Sequence, residues 1–142
     1  EERAAGKAGG SWGFIDKEGR TIANPVYQEV RPFSEGLAAV KIGGKWGYIN
    51  KEGQLVIKAV YYSAKDFSAG LAPVSPASQY GGGSDWGYID NKGNFVIKPQ
   101  YNRAESHSEG LALVCDRAPG TGYKWKYINT KGQAALWFYA YD

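Results

Sequence analysis

Lys45-Trp46-Gly47-Tyr48-Ile49-Asn50-Lys51-Glu52-Gly53 reads as a short strand running into a tight turn, and it recurs. Trp12-Gly13-Phe14-Ile15-Asp16 and Trp86-Gly87-Tyr88-Ile89-Asp90 repeat its first half, and Trp125-Lys126-Tyr127-Ile128-Asn129 is a weaker fourth copy. The tryptophans at 12, 46, 86 and 125 are 34, 40 and 39 residues apart, a period that identifies a repeat architecture. Agreement runs through the rest of the unit. Lys17-Glu18-Gly19, Lys51-Glu52-Gly53, Asn91-Lys92-Gly93 and Thr130-Lys131-Gly132 follow the motif, and Tyr27, Tyr61 and Tyr101 come next. Phe33-Ser34-Glu35-Gly36-Leu37-Ala38, Phe67-Ser68-Ala69-Gly70-Leu71-Ala72 and His107-Ser108-Glu109-Gly110-Leu111-Ala112 then close three complete units, and the fourth is cut short.

Turn chemistry converts each unit into strands. In Asp16-Lys17-Glu18-Gly19 the aspartate opens a type I turn and the glycine takes the left-handed position after it, so the flanks pair as a hairpin with a three-residue loop. That loop predicts Ile15 opposite Thr21, Phe14 opposite Ile22 and Gly13 opposite Ala23. In the second unit it predicts Ile49 opposite Leu55, Tyr48 opposite Val56 and Gly47 opposite Ile57. Both faces of such a hairpin are apolar and require cover, which stacking between successive units supplies. The glycine after each tryptophan admits a neighbour's backbone or a large side chain at close range. A third strand begins after the Ser-x-Gly turn, where Leu37-Ala38-Ala39-Val40-Lys41 leads through Gly43-Gly44 into the next tryptophan strand. It predicts Ile42 opposite Lys45, Val40 opposite Gly47 and Ala39 opposite Tyr48. The expected fold is all-β, an antiparallel meander of about three strands per repeat with the repeats stacked. Residues 24–31, 58–65 and 98–105 are expected to wrap over the sheet as loops holding Tyr27, Tyr61 and Tyr101, with Pro25 and Pro99 stopping the second strand.

Composition removes whole classes of function. At 142 residues, 43% hydrophobic and 15% aromatic, the chain can bury one core and has no room for separate catalytic and accessory domains. Its 20 glycines, with no collagen-like period, fit many tight turns. The net charge of +3 is spread along the chain without a basic stripe, which sets nucleic acid aside as a partner. His107 and Cys115 are single, which removes an internal disulfide and a four-ligand structural zinc, and no cofactor is expected. No apolar run approaches the roughly 20 residues of a spanning helix, so no membrane span is expected. Met is absent, so the numbering follows an initiator or a removed leader. Residues 1–11 read as a flexible lead to a single domain over 12–142.

Lys-Trp-Gly-Tyr-Ile-Asn-Lys-Glu-Gly at 45–53, Pro-Gln-Tyr at 99–101 and Phe-Ser-Glu-Gly-Leu-Ala at 33–38 resemble the bacterial WG repeat, also called the KWG repeat. The resemblance covers roughly residues 12–136 and is specific, because several motifs recur in one order at one period. It implies an all-β fold, bacterial and often exported proteins, hence a periplasmic or secreted setting, and interaction modules with no shared catalytic residues. Three positions depart from the pattern: Lys126 replaces the glycine, Ala59 replaces the proline of the Pro-x-Tyr motif, and His107 stands where Phe33 and Phe67 stand. The unit from Trp125 is therefore expected to be a cap, with Lys126 facing solvent and Trp137, Phe138, Tyr139 and Tyr141 covering the end of the stack. In a rival reading this aromatic tail pairs with the Trp12 strand and closes the sheet into a ring.

The spacing differences locate the candidate site. The extra 6 and 5 residues of units two and three both fall between the third strand and the next tryptophan, on one edge. They replace the tight Gly43-Gly44 turn with loops at 75–85 and 115–124, which carry Tyr80 and Asp85, and Asp116, Arg117 and Tyr123. Tyrosine is a rigid amphipathic anchor, and Gly and Ser make loops adaptable, so these five residues form the expected partner-binding set. The tryptophans invite a sugar-stacking platform, but their recurrence beside glycine favours packing. Asp16, Glu18, Glu52 and Asp90 fit turn chemistry and offer too few ordered oxygen donors for calcium. His107 occupies a phenylalanine position with no nucleophile elbow nearby, and Cys115 reads as a buried thiol. The sequence thus points to a non-enzymatic module that binds another protein. One form is an inhibitor or immunity-type protein that blocks an enzyme or toxin; the alternative is a carbohydrate or cell-wall binding module.

Overall fold

Among the described residues every regular element is a strand, paired antiparallel with at least one strand adjacent to it in the chain. The computed structural model describes residues 2–76, 85–118 and 122–140, with the backbone alone at 117–118 and 136–140. β1 (Arg3–Ala8), β2 (Ser11–Asp16) and β3 (Thr21–Tyr27) form a first sheet in that order. β4 (Glu29–Val30), β5 (Leu37–Ile42), β6 (Lys45–Asn50), β7 (Leu55–Ala64), β8 (Ala72–Pro76), β9 (Trp86–Ile89) and β10 (Phe95–Tyr101) form a second. β11 (Arg103–Ala104), β12 (Ala112–Ala118), β13 (Gly122–Ile128) and β14 (Ala134–Ala140) form the third. The path is one meander. The second unit runs through a single 10-residue β7, where the first and third units break into β3 with β4 and β10 with β11. β1 pairs with β2 and β14 with β13, and neither reaches the other, so the array is open and the ring reading is overturned.

Two expectations about the second strand are corrected. Ile15 does face Thr21 and Ile49 faces Leu55, but Phe14 faces Ala23 and Tyr48 faces Ile57, one residue beyond the expected partners. A bulge at Ile22 and Val56 supplies the offset. A second bulge of two residues then puts Tyr27 opposite Trp12, Tyr61 opposite Trp46 and Tyr101 opposite Trp86. Pro25 and Pro99 lie within that bulge, where no ladder hydrogen bond is demanded of them, so the strands continue past them rather than stopping. The stretches expected as wrapping loops are largely strand for the same reason.

The bulge explains the glycine of each Trp-Gly. A Cβ on Gly47 would lie 2.5 Å from the Ile57 carbonyl oxygen, and one on Gly87 2.6 Å from that of Ile97. The close neighbour is the unit's own bulged strand. At the other end of the unit, Ser34-Glu35-Gly36-Leu37 closes a two-residue turn with φ of 53° at Glu35 and 81° at Gly36, the type I′ geometry that matches strand twist. Ala69 and Glu109 hold the same left-handed conformation, at 54° and 52°.

Residues 3–8, expected as part of a flexible lead, form β1. Its register is that of a third strand: Ala5 faces Phe14 and Ala4 faces Ile15, as Ala39 faces Tyr48 and Ala38 faces Ile49.

Alternation along the ladder gives each unit two apolar rows. One row is Ala39, Tyr48 and Ile57; the other is Ala38, Val40 and Ile49. The second row of each unit lies against the first row of the unit before it. Phe14, Ala23, Tyr27 and Phe33 pack on Ala38, Val40 and Ile49; Tyr48, Ile57, Tyr61 and Phe67 pack on Ala72, Val74 and Ile89; Tyr88, Ile97 and Tyr101 pack on Ala112, Val114 and Ile128. Each buried isoleucine of these layers contributes about 1.5–3 kcal/mol of transfer free energy. Polar contacts lock the stacking: Ser34 donates to the Phe67 carbonyl at 2.7 Å, the Glu35 carboxylate accepts from the amides of Ala69 and Gly70 at 2.9 Å, and Arg31 pairs with Asp66 at 2.9 Å.

Stacking covers the tryptophan strands of the second and third units on both faces but not the second strand, where both faces were expected to be covered. Val26, Val56, Val60 and Val96 are about half exposed, with Val60 at 51%.

Candidate functional site

Four of the five residues singled out for partner binding are described, one just before β9 and three on the hairpin of β12 and β13. Tyr80 lies outside the described residues. Asp85 is exposed and immediately precedes Trp86, the place that Lys45 and Lys124 hold in their own units. Asp116, Arg117 and Tyr123 come together on the hairpin of β12 and β13, where Asp116 pairs with Lys124, Arg117 with Tyr123 and Ala118 with Gly122. The stretch 115–124 is therefore mostly ladder, not loop: it lengthens the hairpin by two residue pairs beyond the Ile42–Lys45 pair that ends the second unit's version. Tyr123 is half-buried in this ladder.

Asp116 is committed internally. Its carboxylate pairs with Lys126 Nζ at 3.1 Å, and the same ammonium lies 5.4 Å from the centre of the Tyr101 ring. Lys126 was expected in solvent; its side chain is only 22% exposed, because the ladder turns it toward Asp116 and Tyr101. Such an ion pair over an aromatic face offsets the desolvation of both groups.

The aromatic residues serve packing. Lys7 Nζ lies 5.7 Å from the Trp12 ring centre and Lys65 Nζ 4.9 Å from that of Trp86, while Trp46 packs against the core. Three of the tryptophan faces that a sugar would use are thus engaged by the protein itself. Tyr48 and Tyr88 are fully buried and donate their hydroxyls to the carbonyls of Lys65 at 2.6 Å and Glu105 at 2.7 Å, and burial pushes both phenols well above their ordinary pKa.

His107 is a core residue, 2% exposed. Its ring meets Tyr88 edge-on at 5.0 Å, as Phe33 meets Phe14 and Phe67 meets Tyr48 at 4.9 Å. Its Nε2 lies 3.1 Å from the Asn129 carbonyl, which as an acceptor requires the proton on Nε2, and Nδ1 has no partner. Burial pushes the imidazole pKa below its ordinary value, against the pull of the Asn129 hydrogen bond. Cys115, in β12, is buried, with Sγ 3.6 Å from the Asp116 carbonyl oxygen. The acidic turn residues are used by their own turns: Asp90 accepts from the amides of Asn94 and Lys92 at 2.9 Å, and these bonds hold its carboxyl below the usual carboxylate range. Among the described residues no group of three or more His, Cys, Asp or Glu is placed to hold a metal ion, and no helix is long and apolar enough to cross a membrane.

Sequence reasoning missed a second surface, the outer side of the bulged strands. Val56, Val60 and Tyr62 of β7 and Phe95 and Val96 of β10 are exposed, with the exposed Lys58 and Lys98 between them. Where the turn of the third unit approaches β7, Val56, Ile57, Lys58, Val60, Tyr61 and Lys92 line a groove of about 290 Å³. The signal was present in the runs Leu55-Val56-Ile57 and Phe95-Val96-Ile97, because alternation cannot turn three consecutive apolar residues to one core face.

A sequence profile of the WG-containing repeat matches residues 12–46, 46–75 and 86–117, well over half of the chain. The unit from Trp125, where lysine replaces the glycine, lies beyond the last matched segment. No curated protein matches the chain.

Proposed function

The chain belongs to the family of WG-containing repeat proteins, and from that membership we propose a non-catalytic module that binds another protein through the outer side of its bulged strands. The observation that carries the reading is the repeated exposure of Val26, Val56, Val60, Phe95 and Val96 at positions that stacking leaves open. Exposed apolar residues that recur in this way suit an interaction surface, Val56 and Val60 already lining one groove, and a partner that covers them gains the transfer free energy that folding did not use. Lys58, Lys92 and Lys98 border the band and favour a partner with acidic groups at its rim. Asp85, Arg117 and Tyr123 belong to a more specific form, an inhibitor or immunity-type protein whose connections at 75–85 and 115–124 occlude a partner's site. An exported setting, periplasmic or secreted, goes with that form on family resemblance alone.

Val56→Asp with Val60→Asp tests the band, because both side chains are about half exposed and lie outside the buried core. The variant should lose partner capture with an unchanged β spectrum; full retention of capture would reject this surface. Tyr123→Ala alone should weaken capture if the inhibitor form holds, and an unaltered affinity would remove the 115–124 hairpin from the site.

A further inference from the structure

Successive units are tied at their Ser-x-Gly turns, and the tie changes between the first and second units and the second and third. In the first case the Glu35 carboxylate bridges two consecutive amides of the next unit's turn. Its Oε2 accepts from the Ala69 amide and its Oε1 from the Gly70 amide, both at 2.9 Å. Ala69 and Gly70 are successive left-handed residues, with φ of 54° and 79°. Consecutive amides in a turn of this kind form a concavity for an anion, and hydrogen bonds to a charged acceptor are stronger than neutral ones.

The third unit has the same turn. Glu109 and Gly110 hold φ of 52° and 84°. Ser108 and Leu111 close it with reciprocal backbone bonds of 2.7 and 3.1 Å, against 2.8 and 3.1 Å for Ser68 and Leu71. What differs is the residue one unit earlier: position 35 is glutamate, and its equivalent at 69 is alanine, whose methyl accepts no hydrogen bond. Among the described residues nothing accepts from the Glu109 and Gly110 amides, and both residues are exposed. Other contacts join the second and third units. Ser106 donates to the Asp66 carbonyl at 2.7 Å, and Lys65 Nζ donates to the Ala104 carbonyl at 2.9 Å and pairs with Glu105 at 3.1 Å. The stack there holds without a carboxylate on the turn.

We propose that the Ser108–Leu111 turn is a carboxylate-binding site, occupied by an acidic side chain of a partner protein as Glu35 occupies the turn at 68–71. The source of the carboxylate rests on the reading of a protein-binding module; the site itself is independent of the valine band. A carboxylate fits because its two oxygens meet two adjacent donors with one bond each, the arrangement that Glu35 already makes. The charge of Glu109 lies on an exposed side chain, where solvent and salt screen its repulsion.

The probe is glutamate capped at both ends, as N-acetyl-glutamate N-methylamide, whose side-chain carboxylate is its only charge. It is titrated into the isotope-labelled full chain at constant ionic strength while the backbone amide shifts are read, with capped glutamine as the control. The Glu109 and Gly110 amides should move downfield with capped glutamate and stay in place with capped glutamine. Those of Ala69 and Gly70, already bonded to Glu35, should stay throughout. Ala69→Glu supplies the carboxylate from within the chain and should abolish the response, whereas Glu35→Ala should create a second response at Ala69 and Gly70. The double variant of Val56→Asp and Val60→Asp should respond as the wild type does, so failure of the band and failure of this site read separately. Glu109 and Gly110 amides that never move, or that move equally with capped glutamine, overturn the proposal. So does an Ala69→Glu chain that still responds at this turn, or a folded Glu35→Ala chain whose Ala69 and Gly70 amides ignore the probe.

Discussion

The tryptophan strand of the second unit and those at the two ends of the array carry one motif in different surroundings. At Gly47 the partner strand bulges by two residues and lays the Ile57 carbonyl on the glycine; at Lys126 the ladder runs without that bulge, with Lys126 opposite Trp137 and Trp125 opposite Phe138. The glycine therefore serves the bulge, and a unit that lacks the bulge accepts a lysine. Ile49 and Ile15 make the second contrast, 0% against 38% exposed at equivalent positions, because only one of them has a unit stacked on it. Neighbours, not the local motif, decide what each residue is worth.

The largest effect that would sharpen this contrast is on the isoleucines. Ile49→Ala should cost about 3–4 kcal/mol, the range for a fully buried aliphatic, and Ile15→Ala about 1 kcal/mol. Equal shifts in urea midpoint would break the comparison. Gly47→Ala comes next at about 3 kcal/mol, because its methyl meets backbone that cannot rotate away, while Lys126→Ala should cost less than about 1 kcal/mol.

His107 allows a finer test between the second and third units, since His107→Phe restores the residue found at Phe33 and Phe67. Burial favours the neutral ring, so the unfolded chain takes up a proton at higher pH than the folded one. The contribution of the neutral ring is whole above the unfolded value of about 6.5 and is lost as pH falls toward the lower folded value. Thermal melts between pH 7 and pH 5 should therefore show a steeper loss for the wild type than for His107→Phe, and parallel curves would refute the assignment. The smallest expected change is Ala69→Asn, which suits the left-handed position of a type I′ turn and should raise stability by about 0.5 kcal/mol. A loss of stability would mean that φ of 54° costs Ala69 little.

Much of the fold was legible from periodicity. The pairs Ile42–Lys45, Val40–Gly47 and Ala39–Tyr48 follow from the two-glycine turn, and Ile15–Thr21 from the three-residue loop. Legibility failed two residues further on. A bulge leaves no fixed residue type in the strand that carries it, and a proline reads as a stop when it occupies a bulge. β1 escaped notice because Arg3, Gly6 and Ala8 replace Leu37, Val40 and Ile42, which hides its strand pattern, although Ala4-Ala5 and Gly9-Gly10 keep the repeat's register. The candidate site was read from the length of two insertions and the tyrosines they carry, and neither says whether inserted residues continue a ladder, as Asp116 to Ala118 do, or leave it.

By itself the sequence determined that this is an all-β repeat protein, where its turns lie, and which residues alternate toward a core, because these follow from local backbone chemistry and from a period that recurs along the chain. The tertiary structure alone decided which apolar rows are covered. Ile49 and Val56 are equally apolar on paper, yet stacking buries the first and the bulge turns the second outward. Coverage depends on contacts between residues about one repeat apart, and no local pattern encodes which of two apolar faces a neighbour will reach.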